Sequence, residues 1–140
     1  MLRITIIQIG KTKEKELQVL IDEYYKRISP FAKVEIYTVS DQKEMQGKFP
    51  KHCYAIMLED TGKHMDSKDF AQFIEDRKNQ GDSNLVFLIG PPEGFKKDRI
   101  LPHIRLSLSK MTFSHQTVRL LLAEQLYRAI SILEGKPFAK

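Results

Sequence analysis

Cys53 is the only cysteine among 140 residues, so no disulfide can close within the chain. It sits in the apolar run CYAIML at 53–58, which suits a buried structural thiol far better than a nucleophile. No stretch approaches the roughly 20 consecutive apolar residues that span a bilayer. The opening run MLRITII is apolar but too short and too alternating for a secretory signal. The chain is therefore expected to work in the cytoplasm. It also lacks a P-loop: GPPEG at 90–94 has neither the N–H donors nor the lysine that cradle a phosphate. Internal repeats and low-complexity segments are absent.

What is present is ordinary in bulk and biased in charge. Hydrophobic content is 41% and charged content 29%, as in a soluble globular protein. The length fits a single domain, 1–140, with a real core. Net charge is +5, a mild bias toward a polyanionic partner. The lysines at 11–15 and 96–97 read as solvated faces rather than as specific sites.

Strand and helix periods alternate. Leu2 to Ile9 predicts a strand, with Leu2, Ile4 and Ile6 on one face and Ile7 and Ile9 on the other. A strand apolar on both faces belongs inside a parallel sheet. Gly10 ends it, and Thr12 can cap the helix carried by Leu17, Leu20, Ile21, Tyr24 and Ile28. Further strands are predicted at 34–39, 53–58, 85–89 and 104–108. Residues 40–52 read as a polar loop with one helical turn near Glu44. A helix begins at Asp66 or Ser67 with Phe70, Phe73 and Ile74 inward, and a short one is expected over 97–101. The last helix spans 114–134, its buried stripe running through Val118, Leu121, Leu122, Leu126, Ala129, Ile130 and Leu133. This alternation predicts an α/β sandwich with a mainly parallel sheet. Ligands bind such sheets at the carboxyl ends of the strands. Three connections leave that edge, after Leu58, Ile89 and Leu108.

The segment from Leu106 to Arg119 is the least ordinary part of the chain. It joins a strand to a helix without one glycine or proline. Connectors of this length normally use turn residues. Such a loop must be held by other parts of the fold or by a ligand, although Ser107, Ser109 and Thr112 can also satisfy its own backbone. The run SLSKMTFSHQ at 107–116, then Arg119 and EQLYRA at 124–129, together with LIGPPEG at 88–94, resembles the SPOUT-class RNA methyltransferases. Within that class it resembles the RlmH family, the large-subunit rRNA pseudouridine N3-methyltransferases. The likeness spans most of the chain and is densest from Leu85 to Lys140.

The resemblance implies an α/β-knot fold, in which the last segment threads a loop to form a deep trefoil knot. Composition and periodicity would never propose a knot. It implies S-adenosyl-L-methionine as cofactor, bound in a bent form, no metal, a homodimer with the cofactor near the interface, and ribosomal RNA as partner. Carried over by position, the cofactor residues are Leu58, Gly90, Leu108, Ser109, Lys110, Met111, Thr112 and Phe113. Gly90 would let the backbone approach the ligand closely. His115, Arg119, Arg128 and Lys140 are candidates for RNA contact. Arg119 and Arg128 are expected on the polar side of the last helix. Arg128 has a second reading, a helical salt bridge to Glu124 four residues earlier. No general base is assigned.

Two departures from the family stand out. Where it has adjacent glycines, this chain has Gly90-Pro91-Pro92, and Pro91 has no N–H to offer. Where the family ends in Tyr-His and a basic residue, this chain ends in Phe138-Ala139-Lys140. The competing reading is therefore a non-catalytic knotted RNA- or ribosome-binding module. Leu120, Leu121 and Leu122 point in successive directions, more apolar surface than one small sheet is expected to cover, which predicts a dimer interface.

Overall fold

The computed structural model describes residues 1–96 and 100–137. Five strands and four helices follow in the order β1 (Leu2–Ile9), α1 (Lys15–Ile28), β2 (Ala32–Val39), α2 (Gln42–Gly47), β3 (Tyr54–His64), α3 (Ser67–Asn79), β4 (Asn84–Ile89), β5 (Ile104–Ser107) and α4 (His115–Leu133). The strands form one sheet in the order β2-β1-β4-β3-β5. Every pairing is parallel, as the two-sided apolar strands require.

The two sides of each central strand serve two cores. Ile4 and Ile6 of β1, Ile56 and Leu58 of β3, and Leu85, Phe87 and Ile89 of β4 face the layer of α1, α4 and α3. Ile7, Ile9, Met57, Val86 and Leu88 face the other way, onto Met45 of α2 and Ile100, with Phe95 packed beside them. One face thus carries three long helices, and the other carries a six-residue helix and the β4–β5 connection.

Helix α4 runs between α1 and α3 and touches both. Flanked on two sides, it leaves no residue from His115 to Leu133 exposed. Of the three leucines in a row, Leu122 is fully buried and Leu120 packs against the core, while Leu121 is half-buried and belongs to neither core.

The predicted elements hold, with local differences. The turn near Glu44 is α2, capped by the Asp41 side chain, which accepts from Glu44 N–H. Asp66 caps α3 in the same way. Thr12 does not cap α1; Glu14 takes that position, without a side-chain capping bond. β3 does not end at Leu58. It swells outward over residues 59–62 and returns, so that Leu58 and Lys63 both face Leu106 of β5. Of the helix expected over 97–101, residues 97–99 lie outside the described residues, and residues 100 and 101 are not helical.

Candidate functional site

The carboxyl edge of the sheet holds a cleft of about 270 Å³. Its walls are the β3 bulge (Leu58, Glu59, Asp60, Thr61), the end of β4 with the glycine loop (Ile89, Gly90, Pro91, Pro92, Gly94, Phe95), the β5–α4 loop (Ser107, Leu108, Ser109, Met111, Thr112, Phe113), and His115 and Val118 of α4. Every residue assigned to the cofactor by resemblance lines this cleft except Lys110, which is exposed beside it. Sequence patterns do not single out Asp60, Phe95 or Val118 for the site. The turn signal DTG at 60–62 could have marked the first; nothing local marks the others.

The β5–α4 loop is held by side chains in place of turn residues. The Ser107 hydroxyl donates to the Ser109 carbonyl at 2.6 Å, and the Ser109 hydroxyl accepts from Met111 N–H at 3.0 Å. The Thr112 hydroxyl donates to Asp60 Oδ2 at 3.1 Å, tying the loop to the β3 bulge. Ser114 then caps α4 by accepting from Thr117 N–H. The bulge in turn depends on Gly62. A Cβ there would come within 2.7 Å of the backbone of Arg105 and Leu106, closer than real Cβ atoms approach anything.

The glycine loop is built differently. Gly94 N–H donates to the Pro91 carbonyl at 2.9 Å, closing a tight turn in which Gly94 has φ +83°. A Cβ at Gly90 would meet the Phe95 ring, its nearest atom 2.9 Å away, and Gly90 itself lines the cleft. Phe95 reaches past Gly90 to the second core and forms part of the cleft wall on the way.

The structure corrects the placement of Arg119. It is 1% exposed and lies on a buried side of α4, not a polar one. Its guanidinium donates to the Ile9 carbonyl at 2.9 Å and to the Thr12 hydroxyl at 3.1 Å, while Nε has no partner. These bonds commit it to the end of β1 and leave it no path to an RNA strand. Arg128 meets Glu124 at 3.3 Å, the i,i+4 pair that the spacing allowed, and Glu124 also accepts from Tyr24. Lys140 and the rest of the 138–140 ending lie outside the described residues.

His115 opens α4 at the cleft wall. Burial, with help from Arg119 and Lys13, holds its pKa below the ordinary value against a weaker pull from Glu93. The imidazole is therefore neutral at pH 7. Its tautomer follows from Gln116. The Gln116 Oε1 accepts from Lys13 N–H, which fixes the amide so that its Nε2 donates to the Lys11 carbonyl and faces His115 Nε2 at 3.1 Å. An amide N–H only donates, so His115 Nε2 accepts and the proton rests on Nδ1.

The cleft suits an adenosyl-type ligand with a cationic centre. Leu58, Ile89, Leu108 and Val118 offer apolar surface to a flat ring, and the loop backbones offer polar groups for its edge. Glu59 and Asp60 in the wall place carboxylates where a sulfonium or ammonium would be favoured. No group of three His, Cys, Asp or Glu able to hold a metal ion occurs among the described residues. Nor is any helix among them long and apolar enough to cross a membrane.

Residues 2–138 match a family model described as predicted SPOUT methyltransferase. A protein of Flavobacterium psychrophilum named ribosomal RNA large subunit methyltransferase H is 39% identical, covering 98% of this chain and 98% of its own length. Its counterpart of the same name in Christiangramia forsetii is 37% identical, covering 96% of this chain and 97% of itself. Among solved structures, TrmJ from Z. mobilis ZM4 superposes with a TM-score of 0.54 at 11% identity, over 100% of this chain and 73% of that one, a likeness of fold.

Proposed function

This chain belongs to the SPOUT methyltransferase family, and from that membership we propose that it transfers a methyl group from S-adenosyl-L-methionine to large-subunit ribosomal RNA, at N3 of a pseudouridine, as a cytoplasmic homodimer. The observation that carries this reading is the cleft at the carboxyl edge. Residues picked from three separate connections by resemblance alone meet there.

When bound, the cofactor supplies a methyl group on a sulfonium, so neither a metal nor a covalent enzyme intermediate is needed. The β5–α4 loop, Leu58 and the glycine loop would hold it. Pro91 contributes carbonyl but no N–H to that cradle. The remaining work is to orient the acceptor and remove its weakly acidic proton. His115 is neutral and its Nε2 lone pair is taken by Gln116, so it offers the Nδ1 N–H as a donor. That suits a carbonyl of a uracil-like ring and helps fix which ring nitrogen faces the methyl group.

A second copy has a geometric role in this scheme. Leu133 lies 18 residues along α4 from His115, a rise of about 27 Å. The end of α4 at Leu133 is thus carried away from its own cleft. Met111, 74% exposed, and Phe113, 42% exposed, present apolar surface at the cleft where a partner would cover it.

The test is methyl transfer to large-subunit rRNA from cells lacking this protein, read by mass spectrometry of nucleosides. We expect 3-methylpseudouridine to appear with the cofactor and to be missing from the untreated RNA. Cofactor-dependent RNA binding without transfer would replace the enzyme by a knotted RNA-binding module. A monomer mass by light scattering would remove the dimer.

A further inference from the structure

Next to the cleft lies a loop that the methyl-transfer scheme does not use. The β1–α1 connection, residues 10–14, carries Lys11 and Lys13, and Lys15 begins α1. Three hydrogen bonds from the first turns of α4 pin it, and a fourth holds the end of β1. Gln116 accepts from Lys13 N–H at 2.9 Å and donates to the Lys11 carbonyl at 3.0 Å, and Arg119 holds Ile9 and Thr12. The backbone is fixed while all three lysine side chains are exposed, and none forms an ion pair among the described residues.

The electrostatics of this arrangement are unfavourable for the protein alone. The positive ends of α1 and α4 both point here, and the first turn of α4 has no acidic residue. Three lysines are added to that end, and the buried Arg119 charge beneath them has only neutral partners. Glu14 and Glu16 lie beside the lysines, so the loop and the first turn of α1 still carry three positive charges against two negative ones. Lys13 is near enough to His115 to help hold its pKa down, so the loop adjoins the cleft.

A neighbouring cleft of about 400 Å³ beyond the glycine loop behaves otherwise: its Lys43 and Lys96 are matched by Asp41 and Glu93. It exerts no net pull on a polyanion.

We propose that the β1–α1 loop is the docking platform for the phosphate backbone of the RNA strand whose base enters the cleft. The inference rests on the reading of the cleft given above. Phosphates would sit on Lys11, Lys13 and Lys15, at a distance from the methyl donor set by the Gln116 and Arg119 clamps. Such contacts carry affinity and register, not base identity.

The experiment compares the wild-type protein with Lys11→Ala/Lys13→Ala for binding to large-subunit rRNA and to assembled ribosomes across a salt series. Binding of S-adenosylhomocysteine is measured alongside by calorimetry. For the double variant we expect RNA affinity to fall on the order of 10-fold and the slope of log K against log salt to drop by about 2. Cofactor affinity should be unchanged. Gln116→Ala, which frees the loop but keeps its charges, should weaken RNA binding with the salt slope intact. Lys33→Ala/Lys51→Ala, at the opposite edge of the sheet, should alter neither. Equal RNA affinity and slope in the wild type and the double variant would overturn the platform and leave the proposed enzyme standing. A wild-type protein that binds the cofactor but no RNA would overturn both.

Discussion

Two loops meet over one cleft and are made rigid by opposite means. The glycine loop is stiff by composition: Pro91, Pro92 and Gly94 set its turn, and its one lateral demand is that Gly90 yield space to Phe95. The β5–α4 loop has no such residues. It is stiff by cross-linking, through Ser107 and Ser109 within itself and Thr112 to the β3 bulge. A loop fixed by composition is disturbed by changes inside it. A loop fixed by cross-links is disturbed from outside as well, by changes to whatever holds the other end of the link.

The largest test of this contrast lies outside both loops, at Gly62. Valine there would drive a side chain into the β5 backbone, and the bulge that holds Thr112 would have to open. We expect a loss on the order of 3 kcal/mol or more in stability by urea denaturation, and loss of cofactor binding. A Gly62→Val protein of normal stability would mean that the bulge does not anchor the cross-linked loop.

Next in size is Gly90→Ala. The methyl group would strike the Phe95 ring at 2.9 Å and push it from its place. The cost should be about 1–3 kcal/mol in stability, and cofactor affinity should fall because Phe95 is part of the cleft wall. In a Phe95→Ala background the same substitution should cost little. Additive effects across this double-mutant cycle would mean that Gly90 acts by giving direct room to the ligand, as the resemblance implies.

The smallest effect is expected at Thr112. Replacing it with valine removes one exposed hydrogen bond to Asp60, so stability should change by about 0.5 kcal/mol. Cofactor affinity should nevertheless drop several-fold in calorimetry, because the loop loses its tie to the far wall. Unchanged affinity would show that the serine bonds suffice to shape the loop.

Much of the molecule is legible in the order of its residues. The alternation of periods marks out the strands and helices, and the two-sided apolar pattern of β1 and β4 puts them inside a parallel sheet. The resemblance, carried mainly by 88–94 and 107–129, selects cleft residues, Lys110 excepted, and brings with it the α/β-knot class. What escapes is of another kind. Charge alone puts Arg119 on a polar face, yet the end of β1 covers it. Leu120 to Leu122 point in successive directions, and only the fold shows that Leu120 and Leu122 pack on the core while Leu121 does not. The resemblance matches Gly90 with a ligand but gives no sign that a phenylalanine five residues on also packs against it.

The local elements, their apolar faces and the family all follow from the chain's own pattern, because periodicity and motif are properties of neighbouring residues. The partners do not. Arg119 bonds to Ile9 across 110 positions, Gln116 to Lys13 across 103 and Thr112 to Asp60 across 52. No pattern over a few turns of helix encodes such pairings. They arise in the folded chain, when burial of the two apolar cores brings the carboxyl ends of β1, β3, β4 and β5 to one edge, where unsatisfied polar groups must find one another.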